Sequence, residues 1–195
     1  MLRIVLNNKL LLWVILSIPG VMMLYGFASG RIDAADLLHP SGEFSARLMI
    51  LAMMIGPLVS LFGAKGVLMW LTARRRYLGV AAFAYALLHL ILYVIDMGTV
   101  KDMLAEIDAL GIWTGWVAFA AMLIPALISN QASVRVLRRN WKRVQMLVYP
   151  AAILTLIHWM FIHNNLIPAL VHFAPLILLW GARFLKTANR PTQGA

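Results

Sequence analysis

The chain has 195 residues, 63% of them hydrophobic and 12% charged, with a formal net charge of +10. A soluble domain is about 45–50% apolar and about 25% charged, so this composition excludes a soluble globular protein and points to the membrane. Cys is absent, which removes disulfides, iron–sulfur clusters, thiolate zinc sites and covalent haem attachment through CxxCH. Any metal or cofactor must be held by His, Met, carboxylate or backbone groups.

Six apolar runs follow one another along the chain, at about 10–28, 44–63, 77–97, 111–129, 146–163 and 166–185. Each is near the roughly 20 residues that carry a helix across about 30 Å of hydrocarbon. The runs are continuously apolar and do not alternate, which favours helices over a β-barrel. The fifth and sixth abut through His163-Asn164-Asn165, a tight helical hairpin. The predicted fold is therefore all-α: a single-domain bundle of six transmembrane helices over 1–195. The first run follows Arg3 and Lys9 and ends near Ala28-Ser29-Gly30, but it is longer than a usual signal-peptide core, so a retained first helix is expected. No intervening stretch is long enough for a soluble nucleotide-binding domain.

The charges sort by loop. The N-terminus, the 64–76 and 130–145 loops and the tail hold Arg3, Lys9, Lys65, Arg74, Arg75, Arg76, Arg135, Arg138, Arg139, Lys142, Arg143, Arg183, Lys186 and Arg190, and no acid. All seven acids lie in the 29–47 segment and the 96–110 loop, joined only by Arg31, Arg47 and Lys101. Six spans put both termini and the basic loops on one side, which the positive-inside rule makes cytoplasmic. The expected location is the bacterial inner membrane, multi-pass, with lipid as the surrounding partner. The positive charge reports topology, and no nucleic-acid partner is expected. Trp70 and Trp141 at the cytoplasmic ends, and Trp113 and Trp116 at the outer end of the fourth span, read as interfacial anchors.

Histidine inside a bilayer is costly, so each one is a functional candidate. His89 lies 13 residues past Arg76 and His158 lies 15 residues past Arg143. At 1.5 Å per residue both sit roughly 20 Å from the cytoplasmic boundary, at matched depth on separate helices. Such a pair can bind one haem iron from opposite faces, as in bundle-core cofactor sites, and Ala82 and Ala86 near His89 leave room for a flat macrocycle. The alternative is that each imidazole only hydrogen-bonds a neighbouring helix. His172, about 9 Å below the outer surface, is an alternative ligand, a donor to the site, a quinone contact or a hydrogen-bonded interface residue. Arg47, one turn into the second span, either pairs with a haem propionate or snorkels to headgroups. His163 is expected at the interface, and His39 in a turn or at a helix start capped by Ser41. The intramembrane Met residues read as packing. No hydrolytic, Walker or dinucleotide motif is present, and no catalytic residue is assigned. The acids all lie in outer segments, which argues against a proton-driven transporter.

Three stretches carry a family resemblance: His39-Pro40-Ser41-Gly42 with Ala46-Arg47-Leu48 and Gly56-Pro57-Leu58; Arg74-Arg75-Arg76-Tyr77-Leu78-Gly79 through Leu88-His89-Leu90 to Tyr93; and Asn140-Trp141-Lys142-Arg143 through Tyr149 to Ile157-His158-Trp159. They resemble the haem-binding membrane subunits of periplasmic methionine sulfoxide reductase systems (MsrQ/YedZ type), in the ferric-reductase-like superfamily. The resemblance implies b-type haem and electron delivery to a periplasmic reductase, with quinol or a cytoplasmic flavin reductase as donor. It puts the ligands at His89 and His158. The family pattern has a further His 13 residues before the later ligand, where this chain has Gln145. That departure points to one haem rather than two, and either to a quinone or FMN near Gln145 and Arg76 bridging the inner half or to donation by membrane quinol nearer the haem. Competing readings are a stand-alone ferric or quinone reductase and a non-redox membrane scaffold.

Overall fold

A computed structural model describes residues 8–162 and 165–189. His163, Arg3 and Arg190 lie outside these residues. The helices are α1 (Lys9–Ala28), α2 (Ala34–Phe62), α3 (Gly66–Met97), α4 (Val100–Ala105), α5 (Leu110–Leu127), α6 (Gln131–Leu137), α7 (Arg139–Gln145), α8 (Val148–Ile162) and α9 (Leu166–Ala188). Six segments are long and apolar enough to cross a membrane, one of them α7 and α8 taken together as Arg139–Ile162. The described residues contain helices and no strand.

Two helices start well before their apolar runs. The second was expected from residue 44 and begins at Ala34; the third was expected from residue 77 and begins at Gly66. In α3 the early turns carry the Arg74–Arg76 cluster, with the Arg74 guanidinium 4.4 Å from the Trp70 ring. A helix can leave the hydrocarbon while its long cations continue along an aromatic surface. In α2 the extension places His39 inside the helix rather than in a turn, so Ser41 is not its cap. Pro40 lacks an N–H, but such gaps are tolerated where neighbouring side chains satisfy the backbone. Ser41 is fully buried, and its hydroxyl donates to the carbonyls of Leu37 (2.7 Å) and Leu38 (3.0 Å).

The fifth span is broken rather than continuous. Pro150 sits in the first turn of α8; in a continuous helix its ring would clash with the Met146 carbonyl, and the helix is interrupted at Met146-Leu147.

Two antiparallel pairs, α2 with α3 and α5 with α8, make the most extensive contacts. Each seam is lined by small residues: Ser41, Ser45, Ala46, Ala81 and Ala82 in the first, Gly111, Thr114, Ala118, Ala151 and Ala152 in the second, all buried. Lipid provides no hydrophobic drive between helices, so close backbone approach and buried hydrogen bonds do the work. The Ser45 hydroxyl, for example, donates to the Ala82 carbonyl at 2.9 Å. Helix α9 closes the bundle against α2 and α8, and Lys186 near its end donates to the carbonyls of Ser60 and Leu61, capping α2. Helix α1 is peripheral. The Tyr85 hydroxyl donates to the Leu16 carbonyl and accepts from the Gly20 amide, each at 2.8 Å. It thus enters the α1 backbone ladder between a carbonyl and an amide four residues apart, just beyond Pro19.

Candidate haem-type histidine site

The two helix pairs each contribute one imidazole to the space between them. His89 on α3 and His158 on α8 stand with ring centroids 6.1 Å apart and planes at 83°. Each ring is held in the same way. His89 Nδ1 donates to the Leu38 carbonyl (2.9 Å), and His158 Nδ1 donates to the Gly111 carbonyl (2.6 Å). A carbonyl can only accept, so both rings carry the proton on Nδ1, the tautomer whose basic nitrogen is Nε2.

Each ring also rests on a glycine one turn beyond its carbonyl partner. A Cβ on Gly42 would lie 3.2 Å from the His89 ring, and one on Gly115 would lie 2.6 Å from His158 Nδ1. Any side chain at Gly115 would displace the imidazole. The two glycines are functional positions that composition does not reveal, because the sequence does not say which helix faces which. The Ser41 hydroxyl adds a 3.3 Å contact to His89 Nδ1.

Two clefts meet at the pair. One, with an empty volume of about 670 Å³, is walled by Ala86, Leu90, Trp116, Phe119 and Met122. The other, about 920 Å³, opens toward His39, Glu43, Asp96 and Glu106. Both are lined by Gly42, His89, Tyr93, Ile112, Thr155 and His158. The donor set suits haem: a metal–imidazole bond of about 2.0 Å puts a ring centroid about 3.1 Å from the metal, so two axial rings stand about 6.2 Å apart. The 6.1 Å spacing matches that arrangement. Among the described residues no group of three or more His, Cys, Asp or Glu is arranged to hold a metal ion, so the pair would bind a metal that brings its own equatorial ligands.

The other predicted residues fall into two further groups. Arg47 does not line either cleft. Its guanidinium is 2.6 Å from Glu43 and donates through Nε to His172 Nε2 at 3.2 Å. His172 Nδ1 donates to the Pro168 carbonyl, and its ring packs on Trp159 at 4.8 Å. His172 is therefore engaged on both nitrogens and does not join the pair. Glu43, which the sequence assigns to an outer acidic segment, lies inside α2 with 19% of its side chain exposed, holding Arg47 and facing His172. Sequence reasoning missed its inward role.

Arg76 and Gln145 do come together, in a cavity of about 1490 Å³ at the basic end of the bundle. Arg75, Lys142, Trp141 and Tyr149 line the same space. The Gln145 amide donates to the Pro125 carbonyl and the Ser129 hydroxyl, holding α7 to the end of α5. Trp141, expected as an interfacial anchor, also donates to the Ile128 carbonyl.

Fold and site together define a six-span membrane protein with a partly buried pair of histidines between its helices. The family model "Ferric reductase like transmembrane component" matches residues 41–156, more than half the chain. Relatives named as the haem-binding subunit MsrQ of protein-methionine-sulfoxide reductase share 31% identity in Xanthomonas campestris pv. campestris strain 8004, over 85% of this chain and 77% of the relative. The corresponding protein of Agrobacterium fabrum is 29% identical over 90% of this chain and 82% of the relative. The chain belongs to the ferric reductase-like transmembrane family, on its MsrQ branch. No solved structure matches it.

Proposed function

We propose that the chain is an electron-carrying haem subunit of the bacterial inner membrane, with His89 and His158 as the two axial ligands of one b-type haem. The observation that carries this reading is the pair itself: two carbonyl-anchored imidazoles, 6.1 Å apart, where two clefts meet. The relatives' names, which describe haem-binding subunits, support the same cofactor. When bound, haem supplies a one-electron iron couple. His89 and His158 would hold the haem iron from both sides, and two imidazole ligands would suit outer-sphere electron transfer rather than oxygen chemistry. The Leu38 and Gly111 carbonyls fix the tautomer of each ligand, and Ala86, Phe119 and Met122 keep water out.

The charge asymmetry supports both termini and the basic loops facing the cytoplasm. The acceptor is then a periplasmic reductase, and the relatives' names make protein-bound methionine sulfoxide its substrate class. The donor is quinol or a cytoplasmic flavin reductase. A single centre at the depth of His89 leaves roughly 20 Å to the basic face. The cavity holding Arg76 and Gln145 lies in that gap and offers cations and aromatic rings to a quinone or FMN.

The test is a reduced-minus-oxidised spectrum of the purified chain with its His89→Ala and His158→Ala variants. Each variant is expected to lose haem or change its spin state. Both variants retaining the wild-type spectrum would overturn the ligand assignment. A colourless wild type from haem-replete cells would favour a scaffold, and reduction of chelated Fe(III) by the purified chain alone would favour a stand-alone reductase. Two haems per chain with neither quinone nor flavin would contradict the role given to the inner cavity.

A further inference from the structure

Among the described residues, one buried side-chain polar atom has no hydrogen-bond partner: the hydroxyl oxygen of Tyr93. A phenol hydroxyl stripped of water and left unpaired carries its full desolvation cost, and native structures rarely keep such a group without a use for it. Its position suggests the use. Tyr93 follows His89 by four residues, so the two share one face of α3, and Tyr93 stands about 6 Å nearer the acidic end. It lines both clefts that meet at the histidine pair. Its ring stands edge-on to Trp116, with centroids 6.3 Å apart and planes at 79°, which holds the phenol in place.

We infer that the Tyr93 hydroxyl is the hydrogen-bond donor to a propionate carboxylate of the bound haem. The inference rests on the haem reading above and adds to it the group that anchors the macrocycle's charged edge. The cleft beyond Tyr93 carries Glu43, Asp96 and Glu106, with His39 beside them, its Nε2 3.9 Å from Glu43 and its ring edge-on to Trp159. A carboxylate reaching this level meets like charges and needs a donor. Arg47 does not supply it, because Glu43 and His172 hold its guanidinium and it does not line the clefts. Arg76 lies 13 residues before His89, roughly 20 Å away along the helix, and is out of reach of a macrocycle centred on the pair. Tyr93 is within one turn.

Tyr93→Phe in the full chain tests this, because it removes only the hydroxyl. Three properties are measured on the haem-loaded protein: the absorption spectrum, the rate of haem transfer to excess apomyoglobin, and the propionate-bending bands in resonance Raman. The expected variant keeps the six-coordinate low-spin spectrum, since both ligands remain. It releases haem about tenfold faster, the order expected for losing one hydrogen bond to a charged group, and it shifts one propionate band. The potential moves to more negative values, because a carboxylate that loses its donor stabilises ferric iron. Transfer rate and Raman bands equal to wild type would overturn the assignment. Loss of the low-spin spectrum would also overturn it, by placing Tyr93 in ligand positioning instead. A wild type without haem would overturn the parent reading together with this one, whereas a red wild type with an indistinguishable variant removes only the role of Tyr93.

Discussion

Each imidazole of the pair depends on a matching pair of backbone features on the facing helix. His89 takes Leu38 and Gly42 from α2; His158 takes Gly111 and Gly115 from α5. The carbonyl sets the tautomer, and the glycine lets the ring lie against the backbone. Gly115→Ala is therefore expected to be more disruptive than Gly42→Ala, because its Cβ would fall 2.6 Å from His158 Nδ1 against 3.2 Å at His89. Overpacking of this kind costs about 1–3 kcal/mol. The prediction is partial loss of haem or a high-spin component in Gly115→Ala, with Gly42→Ala closer to wild type, read by pyridine haemochrome assay and absorption spectrum. Equal and full haem occupancy in both would remove the glycines from the site. The two histidines were legible in the sequence because an ionisable group at mid-membrane depth stands out against an apolar run. Gly42, Gly115, Tyr93 and the inward role of Glu43 were not. Their meaning depends on which helix faces which, and a hydropathy pattern contains no such information.

The helices differ in what fixes them. Spans 1, 4 and 6 lie close to their apolar runs, since length and composition define them. The starts of α2 and α3 and the break before α8 depart, because an Arg-rich or His-containing turn can remain helical outside the hydrocarbon and Pro150 interrupts a run that hydropathy reads as continuous. Helix α1 is held differently again, at its middle, by a single hydroxyl. Tyr85 bridges Leu16 and Gly20 while its ring stacks on Phe44 at 5.4 Å. Tyr85→Phe keeps the stacking and removes the bridge. Interhelical hydrogen bonds in membranes average well under the value expected for hydrocarbon, so a loss of about 1 kcal/mol or less is expected. Thermal unfolding followed by circular dichroism in detergent should show a melting point lowered by a few degrees, with the haem spectrum unchanged. A melting point equal to that of wild type would show that Tyr85 holds α1 by packing alone.

On the scale of the whole molecule, three features line up along the membrane normal. The basic end holds the cavity with Arg76 and Gln145; the histidine pair lies beyond the middle; the acidic end carries Glu43, Asp96 and Glu106 around the second cleft. The order was legible in part. Charge sorting along the loops separated the two ends, and helix rise put both histidines at one depth. The inner cavity was not legible from spacing; it entered through the resemblance, as a consequence of Gln where the family pattern has His. The proposed arrangement is one iron centre, displaced toward the acidic end, with a separate relay on the basic side. Quantitative low-temperature EPR of the oxidised, purified chain tests this most directly, because it counts centres and reports their ligation together. The expected result is one low-spin ferric haem per chain, with the strongly anisotropic signal of two imidazole ligands whose planes are near perpendicular, as the 83° angle between the rings implies. A five-coordinate high-spin signal, or two low-spin centres per chain, would contradict it.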